Sequence, residues 1–196
     1  PASRWRGCAC VGRWGVEGAV FFLERNAPEE PSVERLAEGL DEPLVLTIVN
    51  NRIFVPQQQE LTELIDNDGK ELIDYYRTVS SDWPSGSNFH SFAFGLLHRD
   101  DAFYFLLSIC VLPGGASCPE QLPTQGKLLR VDNDGKAKII ASGFRTPNGI
   151  ASGPDGAIYV TDNQGDCLRA RKIIEIRQGE FFGSRAVPDE AVIAQQ

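Results

Sequence analysis

One layout occurs three times in this chain, and each copy carries two short apolar strands around a tight polar turn. The marker positions Val55, Phe105 and Val160 fall 50 and 55 residues apart. A repeat of roughly 40–50 residues built from several short strands predicts an all-β fold of the β-propeller kind, with about three blades in this chain. A small β-sandwich also fits the strand count, but it does not require copies that share an internal layout.

The elements follow in order. Residues 1–17 hold Trp5, Trp14 and several arginines and glycines without a period of 2 or 3.6, and are expected to be an irregular N-terminal stretch. Residues 18–196 are expected to be the partial propeller. The apolar run 18–24 suits a strand, the proline-bearing run 26–31 a loop, and 32–38 a further strand. The first copy runs from Gly39 through Pro43 to the strand 44–49, the turn Asn50-Asn51, and the strand 52–55. Asn tolerates positive φ, so paired asparagines signal a hairpin. The second copy runs from His90 through 97, turns at 98–101 and returns over 102–105. The third runs from Gly143 through Pro147, turns at Pro154-Asp155-Gly156 and returns over 157–160. Residues 60–65, 127–131, 138–140 and 172–176 supply the outer strands. Three blades do not close a ring, since propellers have 4–8. The chain also opens at Pro1 and has no methionine, so a fragment or a processed product is expected.

Charge narrows the function. A net charge of −8 argues against nucleic acid or an anionic membrane as partner, because both need clustered Lys and Arg. No apolar run approaches the ~20 residues of a membrane span. Of the five cysteines, Cys110 and Cys118 bracket a loop and can pair in an oxidising compartment. Two histidines give no zinc spacing.

Four places can carry chemistry. His90 sits in an apolar run where a loop enters a strand. It is either a general base or a strand-edge residue whose ring is bonded to backbone. Arg145, at the mouth of an inner strand, is either a clamp for a carboxylate or quinone oxygen or a blade-to-blade ion pair. The polar loop after Thr161, through Gln164, Gly165 and Asp166, offers backbone carbonyls to a hard cation, or is a solvated turn. Asp66-Asn67-Asp68-Gly69 resembles a calcium loop, but Lys70 stands where a ligand belongs, and the alternative is an acidic hairpin turn.

These motifs together resemble a known family. Asn88 through Gly95, Pro113 through Ser117, Arg145-Thr-Pro-Asn-Gly-Ile150, Pro154-Asp-Gly156 and Thr161 through Asp166 are similar to the soluble PQQ-dependent glucose/sorbosone dehydrogenases. The resemblance spans roughly residues 18–185. It implies a six-bladed propeller holding pyrroloquinoline quinone (PQQ) and calcium. It implies His90 as the catalytic base and Arg145 as catalytic and cofactor-binding. It places Thr146, Asn148 and Gln164 beside PQQ, and Gly165 and Asp166 at the calcium. The implied substrate is a sugar or polyol, the oxidant an external electron acceptor, and the location secreted or periplasmic. Cys167 stands where the family has an aromatic residue, and the later blades that bring a lysine and further arginines to PQQ are absent here. A calcium-dependent lactonase-type hydrolase and a non-catalytic propeller that binds through one face are the competing readings.

Overall fold

The structure, a computed structural model, describes residues 8–13, 16–23, 33–70, 72–88, 90–163 and 170–187. Among these, fourteen strands and no helix occur. The strands form four antiparallel sheets of neighbouring strands, the meander of a propeller blade. Blade I is β1 (Cys8–Arg13), β2 (Val16–Leu23) and β3 (Val33–Leu40). Blade II is β4 (Thr47–Val49), β5 (Arg52–Pro56), β6 (Leu61–Ile65) and β7 (Tyr75–Ser80). Blade III is β8 (Ala93–Arg99), β9 (Ala102–Leu107), β10 (Lys127–Val131) and β11 (Ala137–Ser142). Blade IV is β12 (Pro147–Ser152), β13 (Ile158–Asp162) and β14 (Lys172–Glu175).

The expected "about three blades" thus takes the form of two four-stranded blades flanked by two three-stranded sheets. One expectation is corrected at the N-terminus. The stretch 1–17, read as irregular, contains β1 and the start of β2, which pair from Cys8↔Phe22 to Arg13↔Val16. A cross-strand partner supplies the order that a sequence lacking alternation does not announce.

The hairpin turns follow their residues. Asn50 and Asn51 have φ of 50° and 63°, and Asp100 and Asp101 have 50° and 55°. Two consecutive positive φ values define the turn whose twist matches paired strands. Proline opens β12 at its first residue, where no ladder donor is lost.

Period-2 alternation builds the core between blades rather than within them. On β5, Ile53 and Val55 pack toward blade I, while Phe54 packs toward blade III. On β9, Phe103, Phe105 and Leu107 face blade II, while Leu106 faces blade IV. Val55, Phe105 and Val160 are each fully buried and each faces the preceding blade. The three marker positions are therefore structurally equivalent.

Strands β4, β8 and β12 lie next to one another across the blades and are the inner strands. Gly95 lets β8 approach β12. Its φ is +57°, and a Cβ there would lie 2.7 Å from Ile150 Cγ2. The far ends of blades III and IV also meet, since Arg99 donates to the carbonyl of Gly156.

The one buried carboxylate bonded by two arginines among the described residues is structural. Glu63 on β6 accepts from Arg52 and from Arg77. Burial alone raises its pKa, but the two guanidinium partners outweigh that and hold it below the usual carboxylate range. Its contribution to stability is therefore present above the ordinary value and lost as pH falls.

Candidate functional site

The site lies where the starts of the inner strands meet the ends of their neighbours. In an antiparallel pair the start of β8 adjoins the end of β9, and the start of β12 adjoins the end of β13. His90 precedes β8 and Arg145 precedes β12, so each stands on a short entry segment at this end. The segment after β9 joins them. His90 Nδ1 lies 3.2 Å from the carbonyl of Ile109, and the Ile109 amide donates to the carbonyl of Arg145 at 3.0 Å. Ile109 itself is fully buried and links the His90 ring to the main chain of Arg145.

The bond to Ile109 selects the tautomer. A carbonyl only accepts, so a neutral His90 carries its proton on Nδ1 and its basic lone pair on Nε2. The ring is half-buried and lies 5.6 Å from Phe92. Burial is the main cause that lowers its pKa, and the charge of Arg145 adds to it, while the Ile109 carbonyl works the other way. Of the two sequence alternatives for His90, the structure shows the ring bonded to backbone.

Arg145 is anchored by its main chain as well as its side chain. Its amide donates to both carboxylate oxygens of Asp162 at 3.2 Å, and its guanidinium donates to the carbonyl of Gly115. That bond reaches from the entry of blade IV to the loop that follows β9 in blade III.

Thr146 is buried and its amide also donates to Asp162, at 3.0 Å. Its hydroxyl has no hydrogen-bond partner among the described residues. Asn148 is exposed and accepts from Thr161 at 3.1 Å. Asn148, Asp162 and Lys172 share an open cleft of about 540 Å³. A larger cleft of about 850 Å³, lined by Arg99, Arg130 and Gly156, lies toward the far end of the blades and takes no part in this site.

Asp162 is the residue that sequence reasoning undervalued, since it stood there only as one position in the polar run from Thr161 through Asp166. It is almost fully buried at the end of β13 and ties down the turn that presents Arg145 and Thr146. Burial raises its pKa, against the lowering effect of the Arg145 and Thr146 amides and of Lys172 at 3.9 Å. A raised carboxylate contributes most to stability at acid pH, and that contribution falls as pH rises through the shifted pKa. Asp162→Ala leaves two inward amides without an acceptor. An unmet buried donor costs about 1–3 kcal/mol, so a loss of roughly 2–5 kcal/mol is expected in urea unfolding. Asp162→Asn, which keeps a carbonyl acceptor, is expected to lose less.

Gln164, Gly165 and Asp166, expected at the cofactor and the calcium, lie outside the described residues, as does Cys167. Among the described residues, no group of three or more His, Cys, Asp or Glu side chains is placed to hold a metal. In the calcium-like loop the carboxylates bond within the turn. Asp66 accepts the amide of Gly69, Asp74 that of Asn67, and Asp68 pairs with Lys70 at 2.6 Å. The cysteine pair does form. Cys110 and Cys118 are disulfide-bonded, with Cα atoms 5.4 Å apart.

The cleft beside Asp162 suits an anionic ligand: Arg171 and Lys172 supply cations, and Asn148 and Thr161 supply polar groups. Arg145 and Thr146 are not among its lining residues, and the buried Thr146 hydroxyl is without a partner among the described residues.

No protein-family model matches the chain, and no curated protein matches it. Solved structures do match. A PQQ-bound aldose sugar dehydrogenase from Streptomyces coelicolor aligns with a TM-score of 0.62 at 14% identity, covering 96% of this chain and 64% of that one. A Thermus thermophilus protein described as an oxidoreductase (glucose dehydrogenase) aligns with a TM-score of 0.61 at 16% identity, covering 92% of this chain and 69% of that one. A protein described as a gluconolactonase aligns at 0.52 and 11% identity, covering 87% and 68%. The chain thus spans about two thirds of the length of these structures. At such identities the likeness establishes the fold. It is part of a β-propeller, shared with glucose and aldose sugar dehydrogenases.

Proposed function

We propose that this chain is part of a PQQ-dependent oxidoreductase that oxidises a hydroxyl or hemiacetal of a sugar or polyol. The observation that carries the reading is the joint placement of His90 and Arg145 on Ile109. Oxidising an alcohol needs a base for the hydroxyl proton while hydride leaves the carbon. His90, neutral and with its lone pair on Nε2, takes that proton. Arg145 holds an oxygen that gains negative charge, through donors already fixed in place. Thr146, Asn148 and Gln164 would be the polar contacts for PQQ, and Gly165 and Asp166 would hold calcium. PQQ, when bound, supplies a quinone that accepts hydride, and calcium polarises it as a Lewis acid. An external electron acceptor completes the turnover. The Cys110–Cys118 bridge supports a secreted or periplasmic location, since such bonds persist in oxidising compartments.

The test is a titration of the full-length protein with PQQ and calcium, followed by an aldose. Saturable binding and loss of quinone absorbance on adding the sugar are expected. A folded protein that binds no PQQ in the presence of calcium overturns the reading. The likeness to a gluconolactonase favours a second reading, a calcium-dependent lactonase-type hydrolase. A lactone assay on the same protein decides it. Failure of both assays leaves a propeller that binds through this face without catalysis.

A further inference from the structure

Segment 109–121 bonds to both entry segments, beyond what a connection between β9 and β10 requires. Asn88 Oδ1 accepts from the amides of His90 at 2.9 Å and Val111 at 3.3 Å, and Asn88 Nδ2 donates to the Val111 carbonyl at 3.2 Å. The Cys110–Cys118 bridge then closes a nine-residue loop over this clamp. The Cys118 amide donates to the Cys110 carbonyl at 3.0 Å. Gln121 locks the closed end. Its Oε1 accepts the Cys110 amide at 2.8 Å, and its Nε2 donates to the carbonyls of Cys110 and Cys118, both at 3.0 Å. At the far end, Gly114 and Gly115 have φ of 95° and 96°, with open space where a Cβ would stand. Two glycines make that tip conformationally permissive. Yet the Gly115 carbonyl is the one that receives the Arg145 guanidinium.

We propose that the disulfide-closed loop 110–118, locked by Gln121, is a positioning element that holds Arg145 beside His90. The closure limits where the glycine tip can go, so its carbonyl stays at the guanidinium. Opening the bridge frees the tip, and Arg145 loses a fixed acceptor. The effect on catalysis rests on the roles given to His90 and Arg145 above. The positioning itself does not.

The imidazole reports the position of Arg145, because among the described residues that guanidinium is the charged side chain whose field lowers its pKa. The experiment follows the His90 Cε1 proton by NMR across pH in the full-length protein, with the resonance assigned by its loss in His90→Gln. Dithiothreitol opens the bridge to two thiols and is itself oxidised to a cyclic disulfide. The double variant Cys110→Ser/Cys118→Ser gives the same state without reductant. Both are expected to raise the His90 pKa toward its ordinary value. They are also expected to lower kcat/KM for the sugar by about tenfold to a hundredfold, the scale for a misplaced catalytic group. Gln121→Ala keeps the bridge and is expected to shift His90 the same way by less, which decides the matter if the double variant does not fold.

Removing the charge in Arg145→Gln separates its displacement from simple hydration of the ring. On that background, opening the bridge is expected to move His90 little. An unchanged His90 titration in the folded double variant or in Gln121→Ala overturns the proposal, as does a full shift on the Arg145→Gln background. If His90 responds as expected but the parent never oxidises a sugar with PQQ, the positioning stands and the functional reading falls.

Discussion

His90→Gln in the full-length protein is expected to lower kcat for sugar oxidation by about 10²–10⁴-fold, the usual contribution of a general base, while PQQ affinity stays largely intact. Glutamine keeps a donor for the Ile109 carbonyl and much of the ring's volume, so the loop before β8 retains its bond. It has no lone pair basic enough to take a hydroxyl proton. The pH dependence gives a second signature. In the proposed mechanism the active form is neutral His90, and its pKa is lowered first by burial and then by Arg145, against the Ile109 bond. Activity is therefore full above the ordinary imidazole value of about 6.5 and is lost only as pH falls through a lower pKa. The same sign applies to stability, which is lost as pH falls because protonating a half-buried ring costs the fold more than the unfolded chain. Steady-state kinetics of parent and variant across pH, with PQQ titrations alongside, check both points. Near-parental turnover in His90→Gln sinks the base assignment.

Inner strands and their turns were legible in the sequence because they carry local signals. Paired asparagines or aspartates take positive φ, and alternation places Val55, Phe105 and Val160 toward the preceding blade. Outer strands were less legible. Strand β7 is exposed over Tyr75–Thr78, so no apolar alternation marks it. Strand β1 also lacks a period and takes its order from β2. His90 and Arg145 stood out by residue type and motif, and the structure brings them to one end. What joins them did not stand out. Ile109 acts through its peptide groups, which any residue possesses. Asn88, Asp162 and Gln121 act on amides and carbonyls far away in sequence, and an isolated polar residue gives no sign of which backbone it will meet.

Arg145→Ala is expected to weaken PQQ binding and to lower kcat/KM by about 10²–10³-fold, the scale for losing one preorganised donor to developing charge. The two effects come together because, in the proposed roles, one guanidinium serves the cofactor and the reacting oxygen, whereas His90 serves only the proton. The fold should tolerate the change. The main chain of residue 145 is held by Asp162 on one side and by the Ile109 amide on the other, and neither bond uses the side chain. The Gly115 carbonyl that loses its donor sits at an exposed loop tip where water replaces it. Arg145→Lys is expected to rescue little, since an ammonium lacks the planar fork of donors and carries only the charge. Loss of that charge also removes one cause of the lowered His90 pKa, so the acid limb of the rate profile should move upward in Arg145→Ala and not in Arg145→Lys. Urea unfolding, PQQ titration and the pH profile of the two variants separate these effects. Parental PQQ affinity together with a parental acid limb in Arg145→Ala would show that this guanidinium serves neither the cofactor nor the base.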